Sequence, residues 1–136
     1  FILKGIMTPK GARKAAEAGV QGIVVSNHGG RVLDQCPSTA EVLPSIVKAV
    51  RESGSQVKIF VDGGIRTGVD VFKALALGAD AVLIARPFVT AVYGGQKEGV
   101  TAYANKIGAE LKDTMRMCGA FSLAEISSDI IWDPCR

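Results

Sequence analysis

His28 is the only histidine of the chain, and it stands where an apolar run gives way to two glycines in the stretch VVSNHGGRVLD. Arg31 follows three residues later, and Gly29 and Gly30 allow the loop to fold back so that both side chains face one cavity. An imidazole can accept a proton near neutral pH, and a guanidinium can bind a carboxylate through two hydrogen bonds. The pair therefore suggests proton transfer beside a bound acid, although a lone histidine is more often a surface or core residue.

A metal site at His28 is less favoured, because the chain has no second histidine and no H-E-x-x-H motif. Its three cysteines, Cys36, Cys118 and Cys135, are widely spaced and form no C-x-x-C motif. An odd number of cysteines in this pattern argues against a disulfide framework and a structural zinc site. It favours a reducing compartment, and we expect a cytoplasmic protein.

A candidate anion site follows the third apolar run of the chain, in the segment Asp62-Gly63-Gly64-Ile65-Arg66-Thr67. Free backbone N–H groups, a helix N-terminus and a guanidinium are expected to converge there. Arg86, after the fourth run, would lie beside this loop, and two arginines on adjacent loops favour a phosphate. The alternative is that the glycines only make a tight turn from strand to helix.

Lys4 interrupts an apolar run near the start of the chain. A buried ammonium needs an anionic partner or a strong hydrogen-bond acceptor, so Lys4 is a further candidate for the same site. The alternative is a lysine that extends into solvent from the end of a strand.

The elements that must position these residues are alternating strands and helices. Four short apolar runs are typical of strands buried on both faces of a parallel sheet: Phe1 to Leu3, Gly22 to Val25, Val57 to Val61, and Ala81 to Ile84. Helical patterns separate them, which gives the order βαβαβαβα followed by a helical tail. The candidate site residues all follow the carboxyl ends of these runs.

Capping signals bound the predicted helices. Thr8-Pro9 begins the first helix and Gly19 ends it, while Thr67 and Gly78 bound the third. After the fourth strand, an amphipathic pattern predicts a helix over about 100–117, and a shorter one begins at Ser122-x-x-Glu125.

The second helix carries conflicting signals. Ser38 and Glu41 have the spacing of a capping box, but Pro44 lacks the N–H that a helix interior needs. We therefore expect a short turn and a helix that restarts near Pro44.

An internal repeat narrows the fold. The pattern G-I-x-T-x5-K-A-x3-G begins at Gly5 and again at Gly64, an offset of 59 residues. Each repeat then contains two βα units of about 30 residues. A doubly wound sheet and a (β/α)8 barrel are both compatible with such units, but polar residues after each strand favour the barrel. The length of 136 residues is about half of the roughly 250 that a full barrel takes, so the prediction is an α/β half barrel.

Composition excludes several classes of function. The chain is 48% hydrophobic and 21% charged with a net charge of +3, as in an ordinary globular domain. It has no basic block with interleaved aromatics and no apolar run of membrane-spanning length, so we expect small-molecule partners rather than nucleic acid or a membrane. The chain opens inside an apolar run without an initiating methionine, and we expect a piece of a longer protein.

Long stretches of the sequence resemble the FMN-dependent α-hydroxy-acid oxidase and dehydrogenase family, which includes glycolate oxidase and lactate oxidase. They are ILKGI, SNHGGRVLD, DGGIRTGVDVFKALALGADAVLIARP and ELKDTMRMCG, and together they cover nearly the whole chain. The resemblance implies the second half of a (β/α)8 barrel, strands five to eight with their helices. Residues 1–136 would form one partial FMN-binding domain, with four βα units over about 1–99 and helices over about 100–128.

The resemblance also implies a role for each candidate residue. His28 matches the active-site base, Arg31 an arginine that binds the substrate carboxylate, and Lys4 a lysine that stabilises reduced flavin. The remaining matches are to residues that bind FMN: Ser26, Asp62, Gly63, Gly64, Ile65, Arg66, Ala85 and Arg86. The expected reaction is oxidation of a small L-2-hydroxy acid to the 2-oxo acid.

Two positions depart from the family pattern. Ala85 stands where the family commonly has glycine, and Thr67 stands where a second arginine often follows Arg66. The resemblance further implies a first barrel half that supplies the rest of the site, and assembly into a homo-oligomer such as a tetramer. The alternatives are another FMN-binding barrel oxidoreductase or isomerase, and a catalytically incomplete structural fragment.

Overall fold

A computed structural model describes residues 1–132 of the chain. Its strands are β1 (Ile2–Ile6), β2 (Gly22–Val25), β3 (Lys58–Val61) and β4 (Ala81–Val82), and its helices are α1 (Pro9–Glu17), α2 (Thr39–Glu52), α3 (Gly68–Ala76) and α4 (Arg86–Met117). Short 3₁₀ turns cover His28–Gly30, Leu123–Glu125 and Ser128–Ile130. Within the described residues, no helix is long and apolar enough to cross a membrane.

The four strands form one parallel sheet in the order β1-β2-β3-β4. Each strand therefore pairs with the next one along the chain, and a helix makes every crossover. A doubly wound sheet reverses its strand order at a switch point, whereas barrel strands follow one another in sequence. The predicted half-barrel arrangement is thus confirmed, with β1 and β4 at the edges of the described sheet.

The main core lies between the sheet and the helices α1 and α2. Ile23 and Val25 of β2 pack with Ile59 of β3 against Leu43 and Ile46 of α2, and all five are buried. A second cluster joins Phe72 and Ala76 of α3 to Ala120 and Ile126. The segment that follows α4 therefore folds back over α3.

The internal repeat is also a repeat of structure. Thr8 and Thr67 both have extended backbone and accept a hydrogen bond from the N–H three residues later, so each caps a helix. Gly19 and Gly78 end those helices with φ of +77° and +100°, in the region that glycine adopts without steric cost.

The predicted break at Pro44 was wrong, because α2 is continuous from Thr39 to Glu52. Pro44 lies in the second turn and removes one backbone hydrogen bond. The capping box is complete: Ser38 Oγ accepts from the N–H of Glu41, and Glu41 Oε2 accepts from the N–H of Ser38 at 2.7 Å. Together with the burial of the apolar face of α2, this capping offsets the missing bond.

The end of the chain also differs from the predicted pattern. Helix α4 begins at Arg86 and bends at Gly95 and Gln96, whose backbone angles are not helical, so residues 86–94 form a helical segment that the sequence pattern missed. The helix predicted from Ser122 is only a 3₁₀ turn. Cys36 and Cys118 are free thiols, and Cys135 lies outside the described residues.

Candidate functional site

Three polar side chains meet across the sheet: Lys4 lies in the middle of β1, while Ser26 and Asp62 directly follow β2 and β3. The Nζ of Lys4 donates to Ser26 Oγ at 2.5 Å and lies 2.8 Å from Asp62 Oδ2. Ser26 is buried, while the side chain of Lys4 is 46% exposed and that of Asp62 21%. Lys4 thus has the anionic partner that its position in an apolar run requires.

His28 is held by a tight turn directly after β2. His28, Gly29 and Gly30 have φ of +56°, +68° and +73°, so three successive residues adopt the left-handed conformation. This conformation is uncommon for a residue with a side chain, and the surrounding bonds maintain it. The N–H of His28 donates to Ser26 Oγ at 3.1 Å, and the N–H of Gly30 donates to Asn27 Oδ1 at 3.2 Å.

The turn brings His28 and Arg31 into direct contact. Nη2 of Arg31 lies 2.8 Å from Nε2 of His28. A guanidinium can only donate hydrogen bonds, so Nε2 acts as the acceptor in this contact. An imidazole, which is the kind of group that takes up a proton in general-base catalysis, thus lies next to a cation that can bind a carboxylate.

A cavity of about 350 Å³ opens beside this pair. It is lined by residues that follow β2, β3 and β4: His28, Gly29, Arg31, Asp62, Gly63, Gly64, Ile65, Arg66, Leu83, Ile84, Ala85, Arg86, Pro87 and Thr90. His28 and Arg31 thus share one cavity with Arg66 and Arg86. Lys4 and Ser26 do not line it, and they reach its edge only through Asp62.

The expectation of free N–H groups was wrong for Arg66, Thr67 and Gly68, whose N–H groups are occupied. Asp70 Oδ2 accepts from the N–H groups of Arg66 and Thr67 at 3.0 and 2.9 Å. Glu110 Oε2, from α4, accepts from the N–H of Gly68 at 2.8 Å. The chain's own carboxylates therefore occupy the helix terminus that was expected to bind an anion.

The donors that face the cavity come from other positions. Gly63 and Gly64 have φ of +95° and +80°, which turns their backbone sharply between β3 and α3. Ala85 is the N-cap residue of α4, and no side chain caps the first turn of this helix. Arg86 lies close to Gly29: a Cβ atom built on Gly29 would be 3.1 Å from Arg86 Nη2. Glycine backbone, an uncapped helix start and two arginines are a donor set suited to phosphate.

Comparison with known proteins identifies the family. Residues 1–133 match the family described as FMN-dependent dehydrogenase. The chain belongs to this family. It is 50% identical over 133 residues to the 2-hydroxyacid oxidase of Dictyostelium discoideum. This alignment covers 98% of this chain and 34% of that protein. It is 48% identical to the L-lactate dehydrogenase of Xanthomonas campestris pv. campestris, over 96% of this chain and 33% of that protein.

Solved structures support the same assignment. A structure of mandelate oxidase with 3,3-difluoro-2-hydroxy-3-phenylpropionic acid superposes with a TM-score of 0.88 and 43% identity, over 93% of this chain and 38% of that one. A structure of mandelate oxidase with benzoyl-formic acid gives a TM-score of 0.86 and 45% identity, over 90% of this chain and 36% of that one. The chain spans about a third of the length of the curated relatives it matches.

Thr39 supports the loop after β3, and the sequence analysis missed it. It is 3% exposed at the start of α2, and its Oγ1 donates to the carbonyl of Asp62 at 2.6 Å. A Cβ atom on Gly63 would lie 3.0 Å from the same Oγ1. Thr39 therefore fixes the loop from behind and leaves little space for a side chain at position 63, where φ of +95° already favours glycine. Its place after the capping residue Ser38 is the only signal in the sequence, and that signal concerns the helix rather than the site.

Hydrogen bonds lower the pKa of both carboxylates at the start of α3, Asp70 and Glu110. Burial alone would raise the pKa of Asp70, but hydrogen bonds from the Thr67 hydroxyl and from the N–H groups of Arg66 and Thr67 outweigh it and lower the pKa. Hydrogen bonds from Lys106 and from the N–H of Gly68 lower the pKa of Glu110. Both groups are therefore charged at neutral pH and remain acceptors for the loop.

Proposed function

We propose that the protein to which this chain belongs binds FMN and oxidises a small L-2-hydroxy acid, such as lactate or glycolate, to the 2-oxo acid. The family match and the relatives that are called 2-hydroxyacid oxidase and L-lactate dehydrogenase support the reaction class. The observation that carries the proposal is the 2.8 Å contact between Nη2 of Arg31 and Nε2 of His28, two residues that line the cavity.

The residues around the cavity fit the phosphate and the hydroxylated chain of FMN. Arg66, Arg86 and the glycine backbone would hold the phosphate. Oδ1 of Asp62 is buried and has no hydrogen-bond partner among the described residues, so it can accept from a cofactor hydroxyl. Ser26, Ile65 and Ala85 belong to the same proposed FMN-binding set.

Each of the remaining residues has a distinct task in the proposal. Arg31 binds and orients the substrate carboxylate, and His28 Nε2 takes up a proton that the substrate releases. FMN, when bound, would accept the two electrons and the second proton that leave the substrate. Lys4 would supply a positive charge that favours the reduced cofactor.

The site would be completed by a further set of βα units. In the described sheet β1 and β4 each pair with one strand only, and the curated relatives are about three times as long as this chain. We propose that a second barrel half closes the sheet and that the barrel assembles into a homo-oligomer. The free thiols of Cys36 and Cys118 support a reducing, cytoplasmic location.

A spectrum of the full-length protein tests the function. We expect a bound flavin absorbance that bleaches under anaerobic conditions when L-lactate or glycolate is added. A protein that contains flavin but is not bleached by any small 2-hydroxy acid would contradict the proposed reaction. A protein purified without flavin that also fails to bind added FMN would contradict the proposed cofactor.

A further inference from the structure

Tyr103 connects the loop that carries Arg66 to the first turn of α4, which carries Arg86. Its hydroxyl donates to the carbonyl of Arg66 at 2.8 Å. Its ring meets Phe88 edge to face, with 4.9 Å between the centroids and an angle of 77° between the planes. Phe88 lies in the first turn of α4, two residues after Arg86. One half-buried side chain thus contacts both the loop of Arg66 and the helical turn of Arg86.

The bend in α4 makes this double contact possible. Gly95 and Gln96 depart from helical geometry, and the second segment of the helix turns back towards the first. The approach is so close that a Cβ atom on Gly99 would lie 2.1 Å from the carbonyl oxygen of Ala91. Tyr103 is one turn further on and therefore lies over Phe88.

The second segment of α4 is also fixed against α3. A Cβ atom on Gly68 would lie 2.1 Å from the backbone nitrogen of Leu111, so the two backbones are in direct contact. Glu110 accepts from the N–H of Gly68 and pairs with Lys106. Tyr103 is thereby carried on a rigid support, and among residues 1–132 no other side chain donates to the Arg66 carbonyl.

We propose that Tyr103 is a positioning residue that sets the spacing between Arg66 and Arg86 and so tunes the affinity of the site for a phosphate group. The hydrogen bond fixes the backbone that carries Arg66, and the ring contact fixes the helical turn that carries Arg86. The inference rests on the proposed function, because it assigns the phosphate of FMN to these two arginines.

The test compares FMN with riboflavin, which has the same ring and hydroxylated chain but no phosphate. In the full-length apoprotein, Tyr103→Phe removes the hydroxyl and keeps the ring. We expect it to weaken FMN binding about fivefold, the weight of one net hydrogen bond, and to leave riboflavin binding unchanged. Phe88→Leu, which removes the ring contact from the other side, should lower the same FMN-to-riboflavin affinity ratio.

The matched control is Tyr93→Phe, because Tyr93 is the second tyrosine of the chain, lies on the same helix and is 89% exposed. It should leave both affinities unchanged. Equal weakening of FMN and riboflavin by Tyr103→Phe, or no weakening of either, would overturn the positioning role. If the unaltered protein binds riboflavin as tightly as FMN, the proposed phosphate site is wrong, and so is the role proposed for Tyr103.

Discussion

The side chain of Lys4 reaches from β1 across Ser26 to Asp62, and its Nζ ends 2.8 Å from Asp62 Oδ2. Neighbouring strands are about 4.8 Å apart, so this ion pair spans the width of β2 and joins two strands that do not hydrogen-bond to each other. The oxygen of Ser26 lies under the ammonium at 2.5 Å. One cation thereby connects β1 to the ends of β2 and β3.

Replacement of Lys4 by methionine tests whether this cation acts in the reaction. We expect FMN to remain bound and the rate of flavin reduction by the hydroxy acid to fall about 100-fold, because one preorganised charge is lost. Lys10→Met is the control, since Lys10 is exposed on α1 and outside the site. Stopped-flow absorbance gives the rate. Unchanged reduction by the Lys4 variant would remove Lys4 from the proposed mechanism.

Replacement of His28 by asparagine tests the base. Asparagine tolerates the left-handed backbone that φ of +56° requires, so this variant removes the imidazole with little strain on the turn. We expect flavin reduction to slow by about 100-fold or more, with FMN content unchanged. Single-turnover rates together with the bound flavin absorbance measure both quantities. A variant that reduces flavin at the normal rate would show that another group takes the proton.

Replacement of Arg31 by methionine tests the carboxylate contact. A charge-assisted hydrogen-bonded pair contributes about 1.5–3 kcal/mol, so KM for L-lactate should rise roughly 10- to 100-fold. The amide of the same acid carries no negative charge, and its KM should change far less. Equal losses for acid and amide would mean that Arg31 supports His28 and does not bind the carboxylate.

Local signals explain why much of the fold could be predicted. Two helices are capped by contacts that span only a few residues, at Thr8 and Gly19 and at Thr67 and Gly78. Contacts between residues so close in the chain can be predicted from the local sequence. The prediction at Pro44 was wrong because the lost backbone hydrogen bond is outweighed by the capping box and by the burial of the apolar face of α2. Tertiary burial cannot be read from one segment alone.

The grouping of the candidate residues around one cavity was predictable, but the contacts that support them were not. His28, Arg31, Arg66 and Arg86 stand at strand ends, and barrel geometry places such residues around one cavity. Tyr103 is 37 positions from Arg66 and reaches it only because α4 bends at Gly95. The glycine pair at 94–95 permits a bend, but the sequence does not predict in which direction the helix turns. Contacts of this kind depend on the assembled structure.

The last prediction concerns the opposite end of the sheet, where Asp80 joins β3 to β4. Its Oδ2 accepts from the N–H of Ile59 at 2.8 Å and from Arg51 at 3.0 Å, and Lys58 lies 3.3 Å from Oδ1. Burial alone would raise the pKa of Asp80, but these donors outweigh it and hold the pKa below its ordinary value of 3.8. The folded protein therefore binds this proton less tightly than the unfolded chain does, and ionised Asp80 stabilises the fold.

We expect Asp80→Asn to lower the free energy of unfolding at neutral pH by about 1–3 kcal/mol, because the buried N–H of Ile59 loses its charged acceptor. The stabilisation is complete above the unfolded pKa and is lost as the pH falls through the lower, folded pKa, so the difference between the two proteins should shrink in acid. Urea titrations at several pH values measure it. Asp113→Asn is the control, because Asp113 pairs with Arg116 in solvent and should contribute less than about 0.5 kcal/mol. A difference for Asp80→Asn that stays constant into acid would show that shape rather than charge stabilises this corner of the sheet.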